Sequence, residues 1–529
     1  MTHHRLNNFV FRESRRNVRD DIQFLRAIAV LAVVIYHLWP NRLPGGFVGV
    51  DIFFVVSGYL MTASLVKGLQ NGGAEKGERL KFLAAFYARR IRRLLPAAFV
   101  LLGTTTVVFF LLFGDKYYLL SVTFSHVLAS TLFSQNWLLA VSSVDYLAQS
   151  NEPTAVEHFW SLSLEEQFYL GWPLFLLISV ILVTGRSGKG IALIWPILAV
   201  TLASLGFGVY LTIADPSQAY FVTPARLWEL SLGGMVAVLL QALESRDLNE
   251  GNSLRTARKS RIFLQFLGLF ICLATIIFFD SELISFPGVW ALLPTVGTAL
   301  ILFGGNKIAN GTSEAPLSLF RLRPFQFIGD ISYSFYLWHF VCIKAFVLFR
   351  LYYGDATVYT LEKVLIILPA SLVLSTLSYY FVEQFFLHNA TQKQLFAFVG
   401  ILGLCLVFST IYGYQYAVKN GAHARDEFRV SIRDGIQNYR SKSPPTSSTC
   451  IGAMSLDAGA GCTERFGVLD GRLLNDVERD YDLAVEKRCD KIKDRDATEV
   501  CIFGNEGSTR SVLLWGDSHA MQYADALSE

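Results

Sequence analysis

Two ionisable side chains, Arg26 and His37, lie within the first apolar segment of the chain, which reads from Phe24 to His37. The eleven steps between them make about three turns of α-helix, so both side chains share one face, about 16 Å apart along the axis. Ionisable groups inside a membrane helix are costly and are usually functional. A neutral imidazole near pH 7 can accept a hydroxyl proton, and a cation can stabilise a developing oxyanion. The alternative is that Arg26 reaches the cytoplasmic interface and His37 only caps the outer end.

A carboxylate opens the second apolar segment, where Asp51 follows Gly49-Val50. By topology it lies near His37, and a carboxylate in that place could orient and charge an imidazole. The alternative is an interfacial Asp that the positive end of a helix dipole favours.

Four arginines precede the third apolar segment in the run that ends at Pro96: Arg89, Arg90, Arg92 and Arg93. Guanidinium groups suit phosphate binding, and this run could clamp the phosphates of a ligand. The alternative is that the run fixes the orientation of the segment or contacts anionic lipid head groups.

Further polar side chains enter later segments. Glu165 and Glu166 are adjacent, so they cannot share a helix face, and we expect one to point to a site and the other to the interface. Arg226 and Glu229, three residues apart, could simply pair. Polar groups of this kind either line a passage or ligand site or make interhelical hydrogen bonds. The candidate lining residues are Ser57, Trp160, Glu165, Ser332, Tyr333, Tyr336, Trp338, His339 and Glu383.

Near the end of the chain, Ser518 stands in Gly516-Asp517-Ser518-His519, after a short apolar stretch and before a helix-like one. A strand-to-helix turn is where α/β hydrolases expose a nucleophile. The four-residue match is weak by itself, and its place after an exported linker adds weight to it.

The elements that carry these residues are membrane helices. Of the 529 residues, 53% are apolar, 42 are Phe and only 17% are charged, against about 25% charged in soluble proteins. Eleven apolar segments approach spanning length: 22–38, 48–67, 94–113, 162–183, 191–213, 226–243, 262–280, 288–305, 327–350, 361–385 and 395–418. A further apolar stretch, 117–140, is expected to be a re-entrant or interfacial helix, because counting it would invert every later loop.

Charge in the loops predicts the orientation. Lys and Arg concentrate after the second, fourth, sixth and eighth segments, whereas loops 214–225 and 281–287 are nearly free of them. The positive-inside rule then places the N-terminus in the cytoplasm and the C-terminus outside. The basic residues 1–21 begin an uncleaved first span, since no small-x-small cleavage site follows. The net charge of +3 indicates little about partners, and no nucleic-acid partner is expected.

From about residue 419 the chain becomes polar. Its four cysteines, Cys450, Cys462, Cys489 and Cys501, favour two disulfides in an exported segment, and three pairings are possible. The simplest joins Cys450 to Cys462 and Cys489 to Cys501. A zinc site is less favoured, because no close Cys-x-x-Cys or His partner is present, and no metal is expected. The other three, Cys272, Cys342 and Cys405, are expected to be ordinary thiols within spans.

Taken in order, these motifs resemble the acyltransferase-3 family of integral-membrane acyltransferases, which O-acetylate cell-surface sugars. The resemblance covers roughly residues 20–390. It rests on Arg26 with ten residues before His37, the Gly49–Gly58 stretch, the arginine run to Pro96, Trp160-Ser161-Leu162 with Glu165-Glu166, and Ser332–His339.

The C-terminal block resembles the start of an SGNH-type esterase or transferase domain. This fused layout is similar to lipopolysaccharide O-antigen acetyltransferases and, more distantly, to peptidoglycan O-acetyltransferases. The later SGNH blocks are absent from the sequence, so we expect a truncated chain in which Ser518 does not act.

The resemblance implies an all-α polytopic membrane bundle of about ten transmembrane helices plus one linking helix, followed by the start of an extracytoplasmic α/β SGNH-type domain. The expected divisions are a cytoplasmic segment at 1–21, the acyltransferase domain at 22–390, an additional transmembrane helix at 391–418, a linker with four cysteines at 419–505, and the start of the SGNH-type domain at 506–529.

The implied reaction moves an acetyl group from cytoplasmic acetyl-CoA, with no tightly bound cofactor, to a surface or lipid-linked glycan. His37 would act as base or transient acyl carrier, and Arg26 would guide the thioester or stabilise charge. Asp51 would orient His37, Glu166 would assist, and Arg89, Arg90, Arg92 and Arg93 would hold the CoA phosphates. The expected setting is a bacterial inner membrane. Lipopolysaccharide O-antigen is the favoured acceptor, and the alternatives are peptidoglycan acetylation, transport of acyl groups or glycolipids without transfer, or a binding protein for wall polymers.

Overall fold

The computed structural model describes residues 19–71, 76–142, 154–183, 190–250, 254–280, 283–305, 318–353, 360–442, 449–451 and 464–466. They fall into two compact units. The first contains the residues up to Leu112 together with Val122–Tyr412, and the second contains Phe113–Ser121 together with the residues from Gly413 onward.

The described part of the chain is almost entirely helical. In chain order the helices are α1 Asp20–Leu38, α2 Gly49–Asn71, α3 Lys76–Phe113, α4 Tyr117–Thr131, α5 Gln135–Val141, α6 Phe159–Val183, α7 Ile194–Ala214, α8 Pro216–Phe221, α9 Thr223–Glu250, α10 Leu254–Phe278, α11 Leu292–Gly304, α12 Arg323–Tyr353, α13 Thr360–His388 and α14 Gln392–Lys442. Short 3₁₀ turns at Pro44–Val48, Gly190–Leu193 and Ser318–Arg321 lead into α2, α7 and α12.

Ten of these helices are long and apolar enough to cross a membrane within the described residues, and α11 is a shorter apolar helix of 13 residues. The expected all-α bundle of about ten transmembrane helices is therefore confirmed. The stretch 117–140 forms two short helices, α4 and α5, of 15 and 7 residues. A 30 Å hydrocarbon core needs about 20 helical residues, so both are too short to cross it as straight helices.

The centre of the first unit is α1, whose side chains Leu25, Ala27 and Val30 have no exposed surface. It packs on α2 and α12, and α2 packs extensively on α9. A helix that is apolar on all sides belongs in the interior of a bundle. By contrast, only 22% of the most apolar stretch of α13 is buried, so this helix lies at the periphery.

Two glycines let the backbones of α2 and α9 approach each other. A Cβ atom at Gly58 would overlap the carbonyl oxygen of Leu230, and one at Gly233 would overlap that of Val55. Small residues at such crossings are typical of membrane helices, where close backbone packing replaces the hydrophobic effect.

Beyond the membrane helices, α14 continues to Lys442, so the division expected at residue 418 falls inside a helix. Two short strands follow, β1 Thr449–Ile451 and β2 Glu464–Phe466, paired in parallel. Cys450 is in β1, whereas Cys462, Cys489, Cys501 and Ser518 lie outside the described residues, and the disulfide pairing stays a prediction.

Candidate functional site

A cavity that is partly open to its surroundings lies in the first unit between five helices, α1, α2, α3, α6 and α12. Polar and apolar groups share its wall, which is lined by Arg26, Val50, Phe53, Phe54, Val56, Ser57, Leu60, Arg90, Arg93, Ser161, Leu162, Glu165, Ser332, Tyr333 and Tyr336. Apolar walls with a few convergent polar groups are typical of ligand sites.

Only two of the four arginines in the run before Pro96 face the cavity. Arg90 and Arg93, three residues apart on α3, both line the cavity, whereas Arg89 is exposed and Arg92 is not among the lining residues. Residues three apart share a helix face, which explains the division. The Arg90 guanidinium stacks 3.4 Å from the centroid of the Tyr169 ring, a contact that holds it in place.

Arg26 enters the cavity from α1. Its Nη1 donates to Oε1 of Gln23 at 2.9 Å, and Gln23 Nε2 donates in turn to Oδ1 of Asp330 at 2.5 Å. Glu383, on a π-helical turn of α13 at Tyr379–Glu383, accepts a hydrogen bond from Ser334 and interacts electrostatically with Arg26. π-helical turns often mark functional positions, because they re-aim a side chain.

Of the two adjacent carboxyl groups, Glu165 lines the cavity and Glu166 does not. The Ser57 hydroxyl donates to Glu165 Oε1 at 3.0 Å, and the Tyr169 hydroxyl donates to Oε2 at 3.1 Å. Glu166 was expected to be the assisting group, but Glu165 is the carboxyl group that lines the cavity. The 100° turn between adjacent helical residues accounts for the separation.

His37 reaches the cavity through other side chains. Tyr336 lines the wall, and its hydroxyl bonds the Ser161 hydroxyl at 2.6 Å. The His339 ring lies 5.5 Å from the Tyr336 ring between centroids, and His339 Nε2 is 3.1 Å from His37 Nδ1. His339 therefore lies between His37 and the lining residue Tyr336. Along α12, this contact is at the opposite end of the site from Arg26, Arg90 and Arg93.

Asp51 has a different partner from the one expected. Its Oδ1 is 3.1 Å from Nη2 of Arg226, and Nη1 of Arg226 is 3.0 Å from Glu229. All three side chains are completely buried between α2 and α9. Asp51 is on the face of α2 that meets α9, whereas Val50 and Phe53 are on the cavity face, so the proposed contact of Asp51 with His37 is corrected to a buried ion pair. The expected pairing of Arg226 with Glu229 is confirmed.

The remaining candidate lining residues separate into two groups. Ser57, Glu165, Ser332, Tyr333 and Tyr336 line the cavity. Trp160, Trp338, His339 and Glu383 are buried around it instead.

Ser161 and Phe53 also line the cavity, although neither was predicted as a lining residue. Ser161 is four residues from Glu165, and that spacing on one helix face is the signal that could have found it.

A second polar group borders the histidines just before α6. The His158 Nε2 is 3.1 Å from the carbonyl oxygen of Leu337 and donates to it, since a carbonyl can only accept. Burial lowers the pKa of His158, and His339 adds to this effect. Burial raises the pKa of Glu157 to about 7, against the opposing effect of Lys344. Among the described residues, no three His, Cys, Asp or Glu side chains are arranged to hold a metal ion.

Comparison with known proteins identifies the family of the chain. Residues 19–414 match the acyltransferase domain that defines the acyltransferase-3 family, which covers most of the chain. Residues 488–529 match the SGNH domain found fused to such domains. The resemblance drawn from the motifs is therefore confirmed for both parts.

Curated relatives match the membrane part. "Putative peptidoglycan O-acetyltransferase YrhL" of Bacillus subtilis is 32% identical over 362 residues, 68% of this chain and 53% of the relative. A "Putative O-acetyltransferase" of Staphylococcus aureus is 33% identical over 360 residues, 68% of this chain and 56% of the relative. Peptidoglycan O-acetyltransferase OatA of Listeria monocytogenes is 34% identical over 334 residues, 63% of this chain and 50% of the relative. The matched part spans about half the length of these relatives. No solved structure matches the chain.

Proposed function

We propose, from the premise that this chain belongs to the acyltransferase-3 family of integral-membrane acyltransferases, that it transfers an acetyl group from acetyl-CoA to a hydroxyl group of a cell-envelope glycan. The donor would bind from the cytoplasm and the acceptor from the opposite side of a bacterial inner membrane. The positive-inside pattern of the loops supports this orientation, with the N-terminus in the cytoplasm and the C-terminus outside.

The cavity between the five helices is the observation that carries this proposal. Arg90 and Arg93 offer guanidinium groups of the kind that bind phosphates, as a CoA donor requires. Arg26 lies on the same wall and can stabilise the oxyanion that forms when a thioester is attacked. His339 contacts the lining residue Tyr336, and His37 contacts His339.

The proposed chemistry is a transfer from sulfur to oxygen. His37 takes the proton of the acceptor hydroxyl, the oxygen attacks the thioester carbonyl, and the carbon–sulfur bond breaks. CoA leaves as the thiolate and then takes up a proton. Alternatively, an imidazole nitrogen of His37 attacks first and carries the acetyl group to the hydroxyl in a second step. In either route the imidazole starts unprotonated.

The glycan acceptor has two candidates. The chain carries an SGNH segment fused to the membrane domain, and the resemblance of its motifs to O-antigen acetyltransferases favours lipopolysaccharide. Two of the relatives carry names that specify peptidoglycan, which favours that polymer. Both polymers present free sugar hydroxyls outside the cytoplasmic membrane.

Reconstitution of the purified full chain tests the proposal. Proteoliposomes would receive acetyl-labelled CoA on one side and either peptidoglycan fragments or O-antigen polysaccharide on the other. We expect alkali-labile label on one glycan, with about a thousandfold loss or more in His37→Gln, as for removal of a catalytic base. The matched control is His388→Gln, because His388 is exposed and outside the cavity. Label that crosses the membrane without an ester product would contradict the enzyme and support a transporter.

A further inference from the structure

The hydrogen bonds around His339 determine where its hydrogen lies. His339 Nδ1 is 3.1 Å from the carbonyl oxygen of Phe335, one helical turn earlier on α12. A carbonyl oxygen only accepts hydrogen bonds, so Nδ1 of His339 carries the hydrogen. In a neutral imidazole the other nitrogen is then an acceptor, and Nε2 of His339 is the atom that faces His37.

The two imidazole rings meet edge to edge. The nitrogens are 3.1 Å apart, the centroids are 5.3 Å apart, and the ring planes differ by 25°. The centroid separation exceeds the nitrogen separation by close to two ring radii, so the N–H and lone-pair directions are nearly in line. This geometry is that of an in-plane hydrogen bond between His37 and His339.

A charged His339 would reverse this assignment, because its Nε2 would then donate to His37. The surroundings disfavour that state. The His339 side chain has no exposed surface. Its contacts in the described part of the chain are the backbone of Phe335 and Tyr336 and the rings of His37, His158, Tyr336 and Phe340. Buried charges in proteins are paired with opposite charges, and these contacts include no carboxylate.

We propose that His339 is a positioning residue that sets the tautomer of His37. His37 donates from Nδ1 to Nε2 of His339, so its own Nε2 is the unprotonated nitrogen that accepts the hydroxyl proton or the acetyl group. The inference rests on the proposed function of His37 and deepens it, since it names the reacting nitrogen.

The arrangement has a consequence for the charged intermediate. When His37 accepts a proton on Nε2, its Nδ1–H still donates to His339, and no hydrogen bond has to be rebuilt. Preorganised partners of this kind favour catalysis because they cost no reorganisation during the reaction. Phe340 also contacts the His37 ring edge-on at 5.1 Å between centroids and restricts its rotation.

Nitrogen NMR tests the tautomer without any acetyl transfer. The full chain, labelled with ¹⁵N in its histidine rings and reconstituted in lipid, would give the His37 signals by difference with His37→Gln. We expect a protonated Nδ1 and an unprotonated Nε2 at His37, and a mixture of tautomers in His339→Phe. A protonated Nε2 on His37 in the wild-type chain would overturn the proposal.

Kinetics give a second, independent measurement. His339→Phe should lower kcat by about 10- to 100-fold, the loss seen when partners that orient metal-bound histidines are removed, with an unchanged KM for acetyl-CoA. His339→Gln retains an acceptor oxygen and should recover part of that loss. Cys342→Ala, on the same helix, is the control for disturbance of α12.

The outcomes separate the two proposals. A wild-type chain that acetylates nothing contradicts the proposed function, whereas the NMR result still decides the tautomer. Equal losses in His339→Phe and His339→Gln, with the His37 tautomer unchanged in both, would mean that His339 only fills space. If His339→Phe fails to fold, His339→Gln provides the NMR comparison, and unchanged His37 signals there with a large loss of kcat would also count against the inference.

Discussion

Three guanidinium groups and one carboxyl group line the cavity, from Arg26, Arg90, Arg93 and Glu165. The excess of basic groups suits an anionic donor such as CoA, because guanidinium groups bind phosphate oxygens in a bidentate manner. Tyr169 joins the two ends of this set, since it contacts the Arg90 guanidinium and hydrogen-bonds Glu165. The individual side chains therefore hold each other in position before a donor arrives.

The arginine run supports a prediction with an internal control. Arg90→Ala and Arg93→Ala should each raise the KM for acetyl-CoA about tenfold or more, since a hydrogen bond to a charged group contributes about 1.5–3 kcal/mol. Arg89→Ala should leave KM unchanged, because Arg89 is exposed and does not line the cavity. Steady-state kinetics in detergent would measure all three. Equal effects in the three variants would show that the run acts only on membrane orientation.

Glu157 predicts a pH-dependent stability. Burial raises its pKa from 4.5 to about 7. At 1.36 kcal/mol per pKa unit, this shift changes the free energy of unfolding by about 3 kcal/mol between low and high pH. The folded state then keeps a proton that the unfolded chain releases, so stability falls as the pH rises from about 4.5 to about 7 and levels off above.

The matching variant is Glu157→Gln, which removes the titrating group. Thermal unfolding in detergent between pH 5 and 8 should show a smaller decline for the variant than for the wild-type chain. Parallel curves for the two proteins would contradict the assignment.

Helix α2 has one face toward the cavity and another toward α9. Val50, Phe53, Ser57 and Leu60 recur at helical spacing and line the cavity, whereas Asp51 and Gly58, seven residues apart, face α9. The buried ion pair and the glycine contact therefore determine how closely α2 sits on α9, and so where its cavity face stands. Replacing a partner in a buried ion pair is costly, because the remaining charge has no compensation.

The glycine contact gives the prediction for this pair of helices. Gly58→Ala should destabilise the protein by about 1–3 kcal/mol, because the added carbon overlaps the Leu230 carbonyl and the helices must separate. Gly206→Ala on α7 is the matched control, since a Cβ atom there meets nothing within 4 Å. Thermal unfolding of the two variants in the same detergent would compare them. A loss of stability in Gly206→Ala as large as in Gly58→Ala would contradict the packing argument.

For the molecule as a whole, the central feature is a cavity wall shared by helices from distant parts of the chain. Arg26 on α1 and Tyr336 on α12 are separated by more than half of the sequence. The most buried helices, α1 and α2, carry the cavity, and peripheral helices such as α13 present most of their surface outward. A rigid central group of helices is the arrangement that precise positioning requires.

The orientation of the bundle can be tested by reporter fusions. A fluorescent reporter that folds only in the cytoplasm should be active when inserted within residues 184–189, and alkaline phosphatase should be active at residues 281–282. The reverse pattern would place the arginine end of the cavity outside, and acetyl-CoA could then not be a donor from the cytoplasm.

The spans, the motifs and the candidate residues can be predicted from the amino-acid sequence, because hydropathy and helical spacing are local properties. Gly58, the arginine run and the Ser332–His339 stretch could all be read in this way. The family followed from the order of these motifs, which needs no contact between them.

The partners of these side chains depend on the folded structure. Asp51 pairs with Arg226 rather than with His37, Glu165 rather than Glu166 enters the cavity, and His37 meets His339 across 302 positions of sequence. Spacing along a helix states which residues share a face, but the face that meets another helix depends on close packing between distant segments. That packing brings His37 and His339 edge to edge, and the hydrogen bonds between and around them determine which nitrogen of each ring carries the hydrogen.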